Sequence, residues 1–355
     1  KPVIVKAPGL VAPDFTWETV TQMDFGFDAS FLNNRLTGTF DWYRRNTKDM
    51  LVAGATLPAT LGASVPKSNS ADMKTIGWEL SLGWNDRLEN GFSYWVKGVL
   101  SDYQATITKY AGNDAGFYSQ SDGDGKYYVG QKIGEIWGYH SNGLFQSDDE
   151  AATIDQSELY AGKWGAGDVK YEDLDNDGKI TKGEETIYNP GDKSIIGNKT
   201  PRYQFGITVG FDYKNFDFEM FWQGTGKRDY MLSGAQFWGF TSQWDVPYTP
   251  ALDYWTETNT DAYFPRPGWQ NGGNRVTSDR YLQSAAYGRL KNLTVGYTIP
   301  KNLTTKWGIS RLRLYVTGEN LLTITPLNDA FDPETLGGMT YPINRKVAIG
   351  LNLTL

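Results

Sequence analysis

The chain has 355 residues, no cysteine, a net charge of −7, and an aromatic load of 13 Trp, 22 Tyr and 17 Phe beside 40 Gly. An acidic chain without a Lys/Arg cluster argues against nucleic acid as a partner, and the lack of cysteine removes disulfides, thiol nucleophiles and Cys-based metal sites. Mean hydropathy is −0.50, and no apolar run reaches the ~18 residues of a membrane helix, which leaves open a membrane β-barrel, whose strands alternate.

Alternation at period two dominates the chain. The first strand is expected near 17–32, with Phe25, Phe27, Ala29 and Phe31 on one face, and turns at Asn33-Asn34. The second, near 35–51, carries Leu36, Phe40 and Trp42. The third, near 73–88, carries Ile76, Trp78, Leu80, Leu82 and Trp84, and turns at Glu89-Asn90-Gly91 into a fourth near 91–109 with Phe92, Tyr94 and Val96. Strands near 200–213 and 216–229 flank Lys214-Asn215; their apolar faces run from Tyr203 to Tyr213 and from Phe216 to Trp222. Three more are expected near 285–299, 310–323 and 342–355. The last sets Val347, Ile349, Leu351, Leu353 and Leu355 against Lys346, Ala348, Gly350, Asn352 and Thr354.

Two features favour a membrane barrel over a soluble sandwich. One strand face is large and apolar while the other is rich in Gly, Thr, Asn, Asp and Gln, as a wall between lipid and a wet lumen requires. Connections also alternate in length: short at 33–34, 89–91, 214–215 and roughly 300–309, long near 52–72, 110–199, 230–284 and 324–341. Outer-membrane barrels pair short periplasmic turns with long extracellular loops. The fold class is therefore all-β, an antiparallel transmembrane β-barrel with long loops. Nine strands would leave open edges, which lipid does not tolerate, so further strands are expected outside this chain. Lys1-Pro2-Val3-Ile4 carries no signal-peptide pattern: either the chain is cytosolic, or a signal was removed, or the true N-terminus lies elsewhere, and the open edges favour the last as the expectation.

Within the longest connection, Asp173-Leu174-Asp175-Asn176-Asp177-Gly178-Lys179-Ile180-Thr181-Lys182-Gly183-Glu184 matches the twelve-residue calcium loop. Asp173, Asp175 and Asp177 supply carboxylates at positions one, three and five. Gly178 permits the turn, the carbonyl of Lys179 falls at seven, and Glu184 offers a bidentate carboxylate at twelve. Ca²⁺ is the expected ion; the bland reading is an Asp/Gly-rich turn without one. Aromatics crowd the long loops, and Trp238, Trp244, Trp255 and Trp269 are expected to contact ligand or a covering lid, with Gln243, Asn271, Asn274 and Arg275 as polar neighbours. The alternative is that these rings build small loop cores. His140 is the sole histidine; without a nucleophile-elbow motif it reads as an exposed loop residue, and no enzymatic activity or catalytic residue is expected.

The segment Tyr287-Gly288-Arg289-Leu290-Lys291-Asn292-Leu293-Thr294-Val295-Gly296-Tyr297-Thr298-Ile299-Pro300 resembles a hallmark of SusC/RagA-type TonB-dependent transporters. So do RLRLYVTGENLLT at 311–323, FDPET at 331–335 and YPINRKVAIGLNLTL to the end, preceded by GDVKYEDLDNDGKI at 167–180, IIGNKTPRYQFG at 195–206 and YFPRPG at 263–268. Leu355 departs from the aromatic residue that ends many such barrels. The resemblance implies that residues 1–355 are the C-terminal part of a barrel of about 22 strands, without its plug. It implies an outer-membrane importer of glycans or oligopeptides working with a SusD-like lipoprotein, and with TonB through the missing portion. Two other functions compete: a soluble or surface-attached all-β glycan-binding module with a calcium loop, and a passive porin.

Overall fold

A computed structural model describes residues 10–12, 15–53, 66–111, 116–117, 127–268, 271–336 and 341–355. Its main feature is one antiparallel sheet of nine strands, each bonded to its neighbours in the sheet order. We number these strands β1 (Thr19–Phe31), β2 (Leu36–Ala53), β3 (Lys67–Arg87), β4 (Ser93–Tyr110), β5 (Arg202–Tyr213), β6 (Phe216–Lys227), β7 (Tyr287–Thr298), β8 (Arg311–Ile324) and β9 (Lys346–Thr354). All nine fall where alternation predicts them. The connection expected near 52–72 is shorter at both ends, because β2 runs to Ala53 and β3 begins at Lys67. The segment 54–65 lies outside the described residues.

The tight turns follow from local chemistry. Between β1 and β2, Asn33 and Asn34 take φ of 59° and 64°, a left-handed conformation that Asn tolerates better than most residues. Lys214 (φ 54°) begins the two-residue link from β5 to β6, and Gly91 (φ 84°) supplies the turn before β4. The β7–β8 link is less simple than expected: a helical turn at Lys301–Thr304 and a 3-10 turn at Thr305–Trp307 fill it.

Register turns the alternation into two faces. Phe27 pairs with Phe40, Phe40 with Leu80, and Leu80 with Leu100, which pairs with Phe205. A second row runs Tyr94, Phe211, Phe218, Val295, Val316, Ile349. These rows form a continuous apolar face left open to the surroundings: Phe25 is 65% exposed and Ile349 83%. Removing one such side chain from water is worth about 1.5–3 kcal/mol. About ten of them outweigh the ~5–15 kcal/mol net stability of an ordinary domain, so water is the wrong solvent for this face.

The opposite face is polar and unusually rich in glycine, and the structure gives the reason. Gly77 lies opposite Tyr43, Gly210 opposite Trp95, and Gly350 opposite Tyr315. In each pair the ring folds over the glycine, where an added Cβ would overlap it. The glycines make room for aromatic rings laid flat on the wall.

β1 and β9 are the two edges of the sheet. Every residue of β1 except Ala29 and every residue of β9 except Gly350 is exposed. Among the described residues no helix is long and apolar enough to cross a membrane. About 9–11 tilted residues span a bilayer. The 21 residues of β3 and 18 of β4 therefore project well beyond it, toward the end where the long connections lie.

Candidate functional site

At that end the described residues of the connections 111–201, 228–286 and 325–345 fold together as a cap over the sheet. Each contributes to one hydrophobic cluster: Tyr171 and Ile180 from the first, Phe237 and Tyr281 from the second, Leu327 and Phe331 from the third. Phe237 sits at its centre, with ring centroids 5.1 Å from Phe264, 6.1 Å from Tyr281 and 6.2 Å from Phe331, at the edge-to-face angles aromatic rings favour. Short two-stranded pairings brace the cap: Glu135–Tyr139 with Lys193–Asn198, Ser141–Leu144 with Val169–Tyr171, and Asp229–Met231 with Leu282–Ser284.

The tryptophans split accordingly. Trp238 (9% exposed) and Trp255 (8%) belong to the cap core, whereas Trp244 is 82% exposed. Trp269 lies outside the described residues. Of the three described tryptophans, Trp244 alone stands in the open. Asp245 holds that turn by accepting from the backbone N–H groups of Thr241 and Ser242 (both 2.8 Å), leaving the indole facing outward. Asn274 is likewise structural: it donates to Asp168 Oδ1 (2.8 Å) and accepts from the N–H of Val169 (2.8 Å). Arg275 donates to the carbonyl of Phe240 (2.9 Å). Burial raises the phenol pKa of Tyr171 and Tyr139 far above its ordinary value, so both stay neutral partners in this core.

His140 lies in the loop where it was expected, half-exposed, but it is held by partners on both ring nitrogens. Its Nδ1 lies 2.7 Å from Asp279 Oδ2 and its Nε2 lies 2.7 Å from Ser194 Oγ. Asp279 also accepts the N–H of Ser141 (2.9 Å). The parallel bridge between Tyr139 and Ser278 shows what the arrangement does: it seams the first long connection to the second. Ser194 sits within a strand.

In the acidic loop, the carboxylates of Asp173, Asp175 and Asp177 offer oxygens within 4.8 Å of one another. Glu184 does not join them. The chain turns after Thr181, with the N–H of Glu184 donating to the Asn189 carbonyl (3.0 Å), and the Glu184 side chain is exposed. Buried Asp192 clamps the loop's two ends by accepting from Leu174 and Thr181 (both 2.7 Å). Lys179 donates its N–H to Asp177 Oδ1 (2.8 Å). Loss of solvent around Asp175 raises its pKa, and the charges of Asp177, Asp192 and Asp173 add to this. Asp173 also loses solvent, but the N–H groups of Gly178, Asn176 and Asp177 bring its pKa below the ordinary value.

The cap surface carries a cleft of about 350 Å³ lined by Tyr160, Lys163, Asp168, Arg266, Asn271 and neighbours, and a second of about 260 Å³ beside Trp137, Lys199 and Tyr230. The polar face of the wall holds a third, about 570 Å³, with Trp95, Asp217, Glu219, Arg311 and Arg313 on its sides. There Arg313 donates from Nε to Asp217 (2.8 Å) and from Nη2 to the same carboxylate. Tyr160 and Lys163 had no distinguishing signal in the sequence and Arg266 stood out only as part of YFPRPG; folding brings them to one cleft.

This geometry, an apolar outer face, a polar inner face and a folded cap at one end, agrees with what known proteins show. The family described as "TonB dependent receptor-like, beta-barrel" matches residues 6–321. TonB-dependent receptor P3 of Formosa agariphila is 30% identical across 97% of this chain and 35% of that protein. TonB-dependent receptor SusC of Bacteroides thetaiotaomicron is 26% identical across 95% of this chain and 32% of its own length. The chain thus spans about a third of the curated relatives it matches. The RagAB peptide transporter shares the fold with a TM-score of 0.73 at 22% identity, over 96% of this chain and 36% of that one. The chain belongs to the TonB-dependent receptor β-barrel family.

Proposed function

We propose that the chain forms part of the wall and the extracellular cap of a TonB-dependent outer-membrane importer of bulky nutrients, glycans or oligopeptides. The observation that carries this reading is the two-faced open sheet: an exposed apolar face for lipid, a polar face for a wet lumen, and two unpaired edges. The remaining strands, the plug and the TonB contact would come from the portion of the protein that the relatives have beyond this match. A SusD-like surface lipoprotein is the proposed partner at the cap, where Trp244 and the cleft at Tyr160, Lys163 and Arg266 stand ready for partner or cargo. The apolar face speaks against the soluble glycan-binding module, which would keep it in water. The chain acts without covalent chemistry in this reading.

The test is uptake by intact cells. Nutrient-dependent growth should be lost on deleting the gene, and equally on removing TonB energy while the protein remains in the outer membrane. Undiminished uptake without TonB energy would favour the passive porin instead. As a second reading, the grouped carboxylates of Asp173, Asp175 and Asp177 favour calcium as a cap stabiliser, with the carbonyl of Lys179 and, after a local shift, Glu184 completing the oxygen set. Calcium titration of the purified assembly tests it: a raised cap melting temperature, lost in Asp173→Ala with Asp175→Ala, supports the ion, and an unchanged one removes it.

A further inference from the structure

The apolar face ends, toward the cap, in a row of rings: Phe25 pairs with Trp42 and Trp42 with Trp78. Immediately above that row the same face turns basic. Arg44 lies between Met23 and Ile76, and Lys74 lies between Asn46 and Thr106. Lys48 stands opposite Thr19. Arg44 and Lys48 continue the alternation of Leu36, Phe40 and Trp42 on β2, and Lys74 continues that of Ile76 and Trp78 on β3, so they share the apolar face. Arg44 and Lys74 are diagonal cross-strand neighbours, about 7–8 Å apart at their bases.

Some cations elsewhere in the wall are neutralised, while others, among them Arg45 and Lys97, make no ion pair among the described residues. Arg35 pairs with Asp86, Arg202 with Asp102, Arg289 with Asp332, and Arg313 with Asp217. Among the described residues Arg44, Lys48 and Lys74 make no ion pair; Arg44 only donates to Asn46 Oδ1 (3.3 Å). Arg44 and Lys48 are exposed and Lys74 half-buried.

Height matters as much as charge. From Leu36 to Arg44 the strand climbs about 26 Å, or roughly 20 Å along the membrane normal at a ~40° tilt. The apolar band of such barrels is ~25 Å tall. Arg44 therefore stands at the upper margin of the band, and Lys74 and Lys48 stand one and two rungs higher, at headgroup depth.

We propose that Arg44, Lys48 and Lys74 form a binding site for the phosphate groups of an outer-leaflet glycolipid whose acyl chains lie on the apolar rows beneath. This rests on the reading that the apolar face meets lipid and that the cap is extracellular. A free anion would gain only the charges, whereas a phosphorylated lipid gains the charges and the belt together. The site would also fix a particular lipid at β1–β3, the part of the wall nearest one open edge.

The test uses the intact transporter, extracted in mild detergent, stripped of lipid, and reloaded with phosphorylated lipid A, with dephosphorylated lipid A, or with lipid A in competition with inorganic phosphate. Native mass spectrometry reads the bound lipid. The unmodified protein should prefer the phosphorylated form. Arg44→Gln, Lys48→Gln and Lys74→Gln together should weaken its binding by roughly a hundredfold, at about tenfold or less per cation removed. Arg44→Lys with Lys48→Arg and Lys74→Arg should bind within about twofold of the original, the charges being kept. Equal binding of both lipid forms, an unchanged triple variant, or displacement of lipid by equimolar inorganic phosphate would overturn the site. If neither lipid form binds, the lipid-facing reading of the wall falls as well.

Discussion

Phe25 and Ile349 stand in the open on one face of the sheet, while Phe237, Tyr171 and Tyr281 in the cap are fully enclosed. The wall is organised from outside, by a solvent that is not water, and its backbone bonds are satisfied strand to strand. The cap is organised from inside, by a core that any soluble domain would recognise. One chain thus folds against two solvents, and the same residue type means opposite things in its two regions.

The contrast is sharpest for truncation. Phe237→Ala should cost the cap about 3–5 kcal/mol and raise hydrogen exchange at Tyr139, Tyr171 and Tyr281. Ile349→Ala, on the outer face, should leave exchange in β8 and β9 nearly unchanged. A uniform response at both sites would erase the distinction. Charge insertion reverses the order. Val295→Lys, midway along an apolar row, should cost about 2–4 kcal/mol in a bilayer, read as reduced folding into vesicles. Val246→Lys, on the exposed cap surface, should be neutral in the same assay.

What could be read in the sequence follows the same division. The wall was legible because lipid and water impose a strict period of two: Val347, Ile349, Leu351 and Leu353 announce their face without knowing their neighbours. The cap was not, because a core assembled from three loops has no period. Trp238 and Trp244 sit six positions apart in similar surroundings, yet one is buried and the other exposed. His140 could not be placed without Asp279, which lies 139 residues away. The acidic loop shows both outcomes: local spacing grouped Asp173, Asp175 and Asp177, but Glu184 depended on a backbone path that the motif does not fix. The ring-over-glycine pairs were half visible, as glycines on the polar face, with their aromatic partners set by register alone.

Acid should separate the regions more gently. Hydrogen bonding from Lys163 holds the pKa of Asp148 below its ordinary value; the N–H of Gln146, then Lys170, does so for Glu150. A depressed carboxylate stabilises the fold above its unfolded pKa and loses that contribution as pH falls through the folded value. The segment 146–152 should therefore loosen below about pH 4, seen as faster exchange at Ala151 and Ala152, while β5 to β8 keep their protection. The smallest structural effect is expected of Trp244→Ala: no change in melting temperature, but weaker uptake or lid docking. Unchanged uptake and docking would make that turn scaffold only.

The central claim is that one face of this sheet meets lipid and the other water. Because the chain has no cysteine, single substitutions Val295→Cys, Val316→Cys, Thr294→Cys and Thr317→Cys give unique labelling sites in it. With a spin label at each in the assembled outer-membrane protein, positions 295 and 316 should relax faster with oxygen, which concentrates in lipid. Positions 294 and 317 should respond to a water-soluble nickel chelate. Equal access of the chelate to all four positions would contradict the account.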